Sequence, residues 1–144
     1  MSDSCFIDSN ILIYTVDSSE RKKHNISKQL VKAIFNGEKK AVVSNQILAE
    51  FFFIATHKIE RPISPEEAET VVNAIIFSES WIKVNYGLGT IRRAMGLVKE
   101  HKASFWDALI GATMHEAGVF KIYTENVKDF QMPGIEAESP FVRV

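Results

Sequence analysis

The chain has 144 residues, about the length of one domain. Its hydrophobic content of 46% and charged content of 24% are typical of globular proteins and exclude disordered and collagen-like classes. The 17 Lys and Arg residues nearly balance the 18 Asp and Glu residues, which excludes a nucleic-acid-binding protein that is basic over its whole surface but allows a local basic patch.

The first half of the chain alternates short apolar runs with helical patterns. The predicted elements are, in chain order, a buried strand at 5–7, a short helix or turn that begins at 11–14, a helix at 21–35, a strand at 41–43 and a helix at about 45–58. Asp17-Ser18-Ser19-Glu20 has the spacing of a capping box and predicts the opening of the helix at 21–35, which Asn36-Gly37 ends. Ser44 is predicted to cap the helix that follows it.

The second half continues this alternation. The predicted elements are a helix from Pro65 to about Phe77, an edge strand at 81–84, a helix at about 90–101, a helix that is capped at 104–107 and stops at Gly118, a buried strand at 119–123 and a weaker last strand at 135–137. Ser64-Pro65-Glu66-Glu67 marks the first of these starts, with proline at the first helical position and glutamate at the third. Short strands alternating with helices predict an α/β fold with a mainly parallel sheet.

Sheets of this kind bind ligands beyond the carboxyl ends of their strands, so the residues after each strand are candidates for chemistry. Asp8 follows the first strand, and Ser44 with its helix follows the second. Thr124-Glu125-Asn126 follows the strand at 119–123. We expect these segments to meet at one edge of the sheet.

Glu50 is the most informative of the candidate residues. It lies in a helix whose surface is mostly apolar, with Ile47, Phe53 and Ile54 one turn away. Burying an ionised carboxylate is unfavourable unless the group is paired or coordinates a metal. Lys58, two turns away, is no obvious partner. A structural ion pair or a window to solvent is the alternative, but the pattern favours a functional carboxylate.

Two other acids each have a structural alternative. Asp8 can cap the next helix or form a turn, with Asn10 helping. Asp107 occupies the acidic position of a capping box that begins at Ser104, although bulky apolar residues surround it.

Together the acids predict a metal site. Three or four carboxylates that converge at one sheet edge form a negative, oxygen-rich pocket suited to Mg²⁺ or Mn²⁺. A metal held in this way can activate a water molecule for attack on a phosphodiester. The sequence contains no G-x-S-x-G nucleophile motif, phosphate-binding glycine loop or dinucleotide fingerprint, consistent with chemistry that needs no nucleophilic side chain.

Four segments resemble the acidic elements of PIN-domain ribonucleases, in family order and over nearly the whole chain. They are Phe6-Ile7-Asp8-Ser9-Asn10-Ile11-Leu12-Ile13-Tyr14, Asn45-Gln46-Ile47-Leu48-Ala49-Glu50-Phe51, Ser104-Phe105-Trp106-Asp107-Ala108-Leu109-Ile110, and Tyr123-Thr124-Glu125-Asn126-Val127-Lys128-Asp129-Phe130 with Pro133-Gly134-Ile135. The compact length is similar to that of VapC-type toxins of toxin–antitoxin pairs.

The resemblance implies a single PIN-like domain over residues 1–144, a three-layer α/β/α fold with a short, mainly parallel central sheet. It also implies Mg²⁺- or Mn²⁺-dependent RNA cleavage, a homodimer and inhibition by a small antitoxin protein. The catalytic and metal-binding acids of the family map onto Asp8, Glu50 and Asp107. Where many relatives have aspartate, this chain has Asn126, so Asn126 or Asp129 is the fourth position.

We expect Ser9, Asn10 and Thr124 to support the acids of this site. Basic residues near it could hold the RNA backbone that the acidic cleft repels, although such charges are more often a solvated surface. The candidates are Arg21, Lys22, Lys23, Arg92 and Arg93.

The remaining sequence features bear on compartment and cysteine chemistry. A single cysteine, Cys5, excludes an internal disulfide and a multi-cysteine zinc site. The sequence lacks an apolar run of the roughly 20 residues that cross a bilayer and shows no secretory signal pattern, so we expect a cytoplasmic protein without a membrane anchor.

Two other functions remain open. A haloacid-dehalogenase-type phosphatase also begins with a strand that ends in aspartate, but it normally needs a second aspartate where this chain has Asn10. A catalytically inactive PIN-like module that binds RNA or protein is the other, and Asn126 is the feature that favours it.

Overall fold

The computed structural model describes residues 4–142 and contains a five-stranded sheet. The strands are β1 (Cys5–Ile7), β2 (Ala41–Ser44), β3 (Trp81–Val84), β4 (Lys121–Tyr123) and β5 (Glu136–Glu138). Their order is β3-β2-β1-β4-β5, and every neighbouring pair is parallel. The predicted parallel sheet is therefore confirmed, with β3 at an edge as expected.

Six α-helices and a short 3₁₀ helix connect and flank the strands. They are α1 (Ser9–Val16), α2 (Arg21–Phe35), α3 (Asn45–His57), α4 (Pro65–Ile76), α5 (Leu88–His101), α6 (Phe105–Ala117) and the 3₁₀ helix Val127–Phe130. Gly118 ends α6 at φ +69°, a left-handed conformation that glycine adopts without steric penalty. The predicted helices are thus all present, with ends that differ by at most a few residues.

The helix caps agree with the sequence at two positions and differ at one. Ser44 accepts a hydrogen bond from the Ile47 N–H, and Ser64 forms a capping box at the start of α4. The capping box predicted at Asp17 is wrong: Glu20 occupies the N-cap of α2 without a side-chain cap hydrogen bond. Asp17 is instead the C-cap of α1 and accepts from the Ser19 N–H at 3.1 Å. It lies four residues before Arg21, where α2 begins as predicted, and is therefore too far away to cap that helix.

The core lies on both faces of the short strands. β1 is fully buried at the centre of the sheet, and Phe51 of α3 packs into the same core. Phe52 and Phe53 remain 37% and 51% exposed, because three successive residues of a helix cannot share one face. Within residues 4–142, the helices are too short or too polar to cross a membrane.

Candidate functional site

An open cleft of about 330 Å³ lies at the carboxyl edge of the sheet. Its lining residues are Asp8, Ser9, Asn10, Ile13, Tyr14, Asp17, Glu50, Ile54, Asp107, Ile110 and Asn126. The structure therefore brings together the three acids singled out from the sequence, with Asn126 beside them. Asp8 and the helix that carries Glu50 follow the parallel neighbours β1 and β2, which end at the same edge, and Asp107 reaches this edge from the first turn of α6.

Asp8 occupies the most buried position of the three acids, at the point where β1 becomes α1. It is 6% exposed, and its carboxylate accepts from the Ser9 N–H at 2.7 Å, the Thr124 hydroxyl at 2.7 Å and the Asn10 side-chain amide at 3.2 Å. Burial raises the pKa of Asp8, while these hydrogen bonds act in the opposite direction. Asp8 therefore both caps α1 and faces the cleft.

Asn10 and Thr124 connect the loops that follow β1 and β4. The Asn10 side-chain oxygen accepts from the Glu125 N–H at 3.1 Å, and the Thr124 hydroxyl accepts from the Asn126 N–H at 3.0 Å. These contacts place Asn126 at the rim of the cleft. The predicted role of Asn10 and Thr124 in supporting the acids would act through these hydrogen bonds and those that both side chains donate to Asp8.

Glu50 lies one turn beyond the start of α3, half-buried between the cleft and a neighbouring groove. Its carboxylate accepts from the Gln46 side-chain amide at 3.0 Å. Burial raises its pKa, and repulsion from Asp8 and Asp107 adds to this increase. Within the described residues, Glu50 has no salt bridge to a Lys or Arg, so the ion-pair alternative has no support in the structure.

Asp107 is in the first turn of α6. The Ser104 hydroxyl donates to its carboxylate at 2.8 Å, and the Asp107 N–H donates back to that hydroxyl at 3.3 Å. Burial raises the pKa of Asp107, and the nearby charge of Asp129 raises it further. Ser104 is the N-cap of α6, and it holds the carboxylate that Asp107 contributes to the cleft.

The two candidates for the fourth position differ in placement. Asn126 lines the cleft, whereas Asp129 lies in the 3₁₀ helix and is absent from the cleft lining. The two residues are connected by a hydrogen bond from the Asp129 N–H to the Asn126 carbonyl at 3.0 Å. Asp129 therefore contributes no side chain to the cleft lining, and its charge raises the pKa of Asp107.

The chemistry of the lining fits a hard divalent cation. It supplies four carboxylates, because Asp17 joins Asp8, Glu50 and Asp107, and it supplies the side-chain oxygens of Asn10 and Asn126. None of the salt bridges found between residues 4 and 142 neutralises any of these four acids. In that same part of the chain, no three His, Cys, Asp or Glu side chains are already close enough to ligate one ion together. Mg²⁺ keeps several waters and binds proteins through one or two carboxylates, so the remaining acids of such a site can act through the bound waters.

The predicted basic residues are not grouped at the cleft. Lys23 forms salt bridges with Glu20 at 3.5 Å and Glu125 at 3.3 Å, so its charge is partly neutralised at the rim. Arg93 pairs with Glu116 at 3.5 Å, near the other end of α6 and about 13 Å along that helix from Asp107.

The other three basic candidates are exposed on two different helices. Arg21 and Lys22 lie on the first turn of α2. Arg92 lies beside Arg93 on α5 and lines a separate shallow depression with Lys99 and Phe105.

An apolar groove of about 770 Å³ adjoins the cleft and shares Glu50 and Ile54 with it. Its other lining residues are Asn45, Gln46, Ala49, Phe53, Lys58, Tyr86 and Trp106. Trp106 is 59% exposed although it directly precedes Asp107. This groove, and the place of Gln46 in it, were not predicted from the sequence. The sequence did contain a signal for the groove: Ala49 and Phe53 are four residues apart and therefore lie on the same face of α3.

Comparison with solved structures finds the same fold in toxin–antitoxin proteins. The VapC20 toxin of Mycobacterium tuberculosis, described as cleaving the sarcin–ricin loop, is 18% identical with a TM-score of 0.65, over 83% of this chain and 88% of that one. A toxin–antitoxin complex from Klebsiella pneumoniae is 23% identical with a TM-score of 0.63, over 94% and 97%. DNA-bound VapBC from Salmonella typhimurium is 19% identical with a TM-score of 0.65, over 97% and 99%.

The sequence itself matches a family model. No curated protein gives a significant match. The model of the PIN domain, however, matches residues 5–131, a range that extends from β1 past the 3₁₀ helix and includes every acid of the cleft. The chain belongs to the PIN domain family.

Proposed function

We propose that the chain is a Mg²⁺- or Mn²⁺-dependent endoribonuclease and the toxin of a toxin–antitoxin pair. The observation that carries this proposal is the convergence of Asp8, Glu50 and Asp107 on one cleft without a cationic partner among the described residues. A buried cluster of like charges is unfavourable in the absence of a cation, and such clusters are typical of catalytic sites. Membership of the PIN family and the VapC-like fold support the same function.

Asp8, Glu50 and Asp107 would hold the cation partly through its bound waters, with the Asn126 side-chain oxygen as a neutral fourth donor. Bound there, the cation would supply a water of lowered pKa and neutralise charge on the scissile phosphate. The chain's own residues fix the donors in advance. Thr124 and Asn10 orient Asp8, and the contacts of Gln46 and Ser104 restrain the other two carboxylates.

The carboxylates also determine how substrate approaches. Without a cation, the cleft repels a phosphodiester, so RNA binding and cation binding would be coupled. Arg21 and Lys22, exposed on α2, would contact the backbone outside the cleft, whereas Lys23 is held by two glutamates and Arg93 lies near the far end of α6. We therefore assign the RNA-binding role to Arg21 and Lys22 before Lys23, Arg92 and Arg93.

A small antitoxin protein and a second copy of this chain are the proposed protein partners. Exposed apolar side chains outside the core support protein partners, because such groups are often buried at interfaces. They include Phe53, Phe77, Leu88 and Trp106. The relatives solved as toxin–antitoxin complexes support an antitoxin in particular. An RNA substrate and a protein inhibitor would both be met in the cytoplasm.

The phosphatase alternative is weaker than the nuclease. Asn10 stands where a general acid would be needed, but an amide does not transfer a proton at neutral pH. Its side-chain nitrogen donates a hydrogen bond to Asp8, and its oxygen accepts one from the Glu125 N–H.

The test of the proposed function is cleavage of a mixed RNA substrate by purified protein in Mn²⁺, in Mg²⁺ and in EDTA. We expect cleavage in either metal and its loss in EDTA. Cleavage that persists in EDTA would contradict the metal mechanism. Binding of RNA without cleavage in any metal would instead favour the inactive module that Asn126 suggests.

A further inference from the structure

Gln46 is a buried polar side chain between the two helices that carry Glu50 and Asp107. It lies in the first turn of α3 and is 5% exposed. Its side-chain nitrogen, Nε2, donates to Glu50 Oε2 at 3.0 Å and to the backbone carbonyl of Trp106 at 3.0 Å. One amide group therefore connects the middle of α3 to the first turn of α6, next to Asp107.

The orientation of this amide follows from its two partners. A carboxylate and a carbonyl can only accept hydrogen bonds, so the NH₂ group must face both of them. Gln46 Oε1 is then left buried without a hydrogen-bond partner among residues 4–142. An unpaired buried oxygen is unfavourable by itself. The amide orientation is therefore determined by Glu50 and Trp106 rather than by its own oxygen.

The contact matters because α3 and α6 otherwise touch little. Each packs mainly on other helices, α3 on α1 and α4, and α6 on α5. The separation of the Glu50 and Asp107 carboxylates consequently depends on few direct contacts between their helices. The Gln46 amide is one of these contacts, and it ends on the peptide unit that joins Trp106 to Asp107.

We infer that Gln46 is a positioning residue that holds the Glu50 carboxylate, and the turn bearing Asp107, at the spacing needed to share one divalent cation. This inference rests on the proposed function. It adds a residue that touches neither cation nor RNA but orients a ligand, as hydrogen-bond partners of metal ligands commonly do. A purely structural amide would stabilise the fold and leave cation affinity unchanged.

Gln46→Met tests the inference because methionine keeps an unbranched side chain of similar length and removes both donors. Calorimetric titration of the free protein with Mn²⁺ should show about 10- to 100-fold weaker binding than wild type, the range typical of lost hydrogen-bond partners of ligands. In cleavage assays at saturating Mn²⁺, kcat should fall while KM for RNA changes little.

Thr113→Val is the matched control. The Thr113 hydroxyl is also buried in a helix and donates to the Leu109 carbonyl at 2.8 Å, but it lies almost two turns beyond Asp107 on α6. Loss of this hydrogen bond should lower stability and leave Mn²⁺ affinity unchanged. Equal weakening of Mn²⁺ binding in both variants would overturn the inference, since stability alone would then explain the loss.

A second measurement needs neither metal nor RNA. In EDTA, Gln46→Met should raise the unfolding equilibrium constant about tenfold more in the wild-type background than in a Glu50→Met background, as expected for a hydrogen bond to a charged group. Equal effects in the two backgrounds would show that Gln46 does not hold Glu50, and would overturn the inference.

The two proposals fail in different ways. Wild-type protein that binds no Mn²⁺ overturns the proposed function and, with it, the shared cation. If wild type binds Mn²⁺ and Gln46→Met binds it with the same affinity, only the inference about Gln46 is overturned.

Discussion

The Thr124 hydroxyl donates a 2.7 Å hydrogen bond to Asp8 Oδ2, linking the neighbouring ends of β4 and β1. The same hydroxyl accepts from the Asn126 N–H, so the loop after β4 and the buried acid of β1 depend on one side chain. Burial raises the pKa of Asp8, and the contact with Thr124 is the largest influence in the opposite direction. Thr124 thus favours the ionised form of an acid whose pKa is raised by burial.

Thr124→Val should therefore weaken cation binding. Valine retains the volume but removes the donor, so the pKa of Asp8 rises and protons compete better with Mn²⁺. We expect about tenfold weaker binding, with a larger loss at pH 6 than at pH 8, measured by calorimetry. Thr70→Val, which changes an exposed threonine of α4, should bind like wild type. A loss that is the same at both pH values would contradict this explanation.

Glu50→Gln and Asp107→Asn should each lower Mn²⁺-dependent RNA cleavage by more than about 100-fold while the protein remains folded. The loss should exceed that from changing a hydrogen-bond partner, because a charged ligand is removed. Cleavage rates and circular dichroism measured together separate inactivity from unfolding. Glu69→Gln on the exposed face of α4 serves as the charge-matched control. Wild-type activity in either variant would remove that acid from the metal site.

The pH dependence of metal-free stability follows from the raised pKa values of Asp8, Glu50 and Asp107. An acid whose pKa is higher in the folded state stabilises the fold at pH values below its ordinary pKa, and this contribution is lost as pH rises through the folded-state pKa. In EDTA, Glu50→Gln should thus gain stability relative to wild type as pH increases from about 4 to 7. Denaturant unfolding at several pH values measures this gain. A Glu50→Gln variant that becomes relatively less stable with rising pH would instead indicate a structural ion pair.

Mn²⁺ should reverse this trend. Binding to the native state alone stabilises it by about 2.7 kcal/mol at a free metal concentration 100 times Kd. Because protons compete for the same carboxylates, the increase in Tm should be larger at pH 7.5 than at pH 5. Thermal melts over a Mn²⁺ titration at both pH values test this expectation. A Tm that does not respond to millimolar Mn²⁺ at either pH would argue against a cation site in the cleft.

The fourth position can be assigned with two variants. Asn126→Asp adds a negative charge to the lining of the cleft and should tighten Mn²⁺ binding. The charge of Asp129 lies outside this lining and raises the pKa of Asp107. Asp129→Asn removes this charge but no side chain of the lining, so it should reduce cleavage less than Asp107→Asn does. Calorimetry and cleavage rates on both variants give the comparison. If Asp129→Asn abolishes metal binding and Asn126→Asp has no effect, the fourth ligand is Asp129.

Local sequence signals predicted most of the fold and the three acids. Ser44 and Ser64 marked helix starts because a cap is recognised within three residues of itself. The prediction at Asp17 was wrong because capping-box spacing alone does not show whether a residue begins one helix or ends the previous one.

Contacts between distant parts of the chain could not be predicted. Gln46 meets the Trp106 carbonyl across 60 residues, and no periodicity or motif encodes that meeting. The same limit applies to Lys23, which was a candidate RNA contact. Its salt bridge to Glu125 partly neutralises its charge, and the sequence does not reveal this pairing. The position of Asp129 relative to the cleft could not be predicted either, because its side chain is oriented by the 3₁₀ helix after β4, which was not predicted from the sequence.

The central position of β1 has a consequence for the order of folding. Its neighbours are β2, which comes soon after it, and β4, which begins at Lys121; Asp8 and Thr124 are 116 residues apart. Contacts of such large sequence separation form late, because the intervening chain must first lose entropy. During synthesis from the N-terminus, nearly the whole domain is therefore made before Thr124, which orients Asp8, becomes available. A partly synthesised chain has the first acid but not the assembled cleft, so the candidate site is complete only when the domain is almost complete.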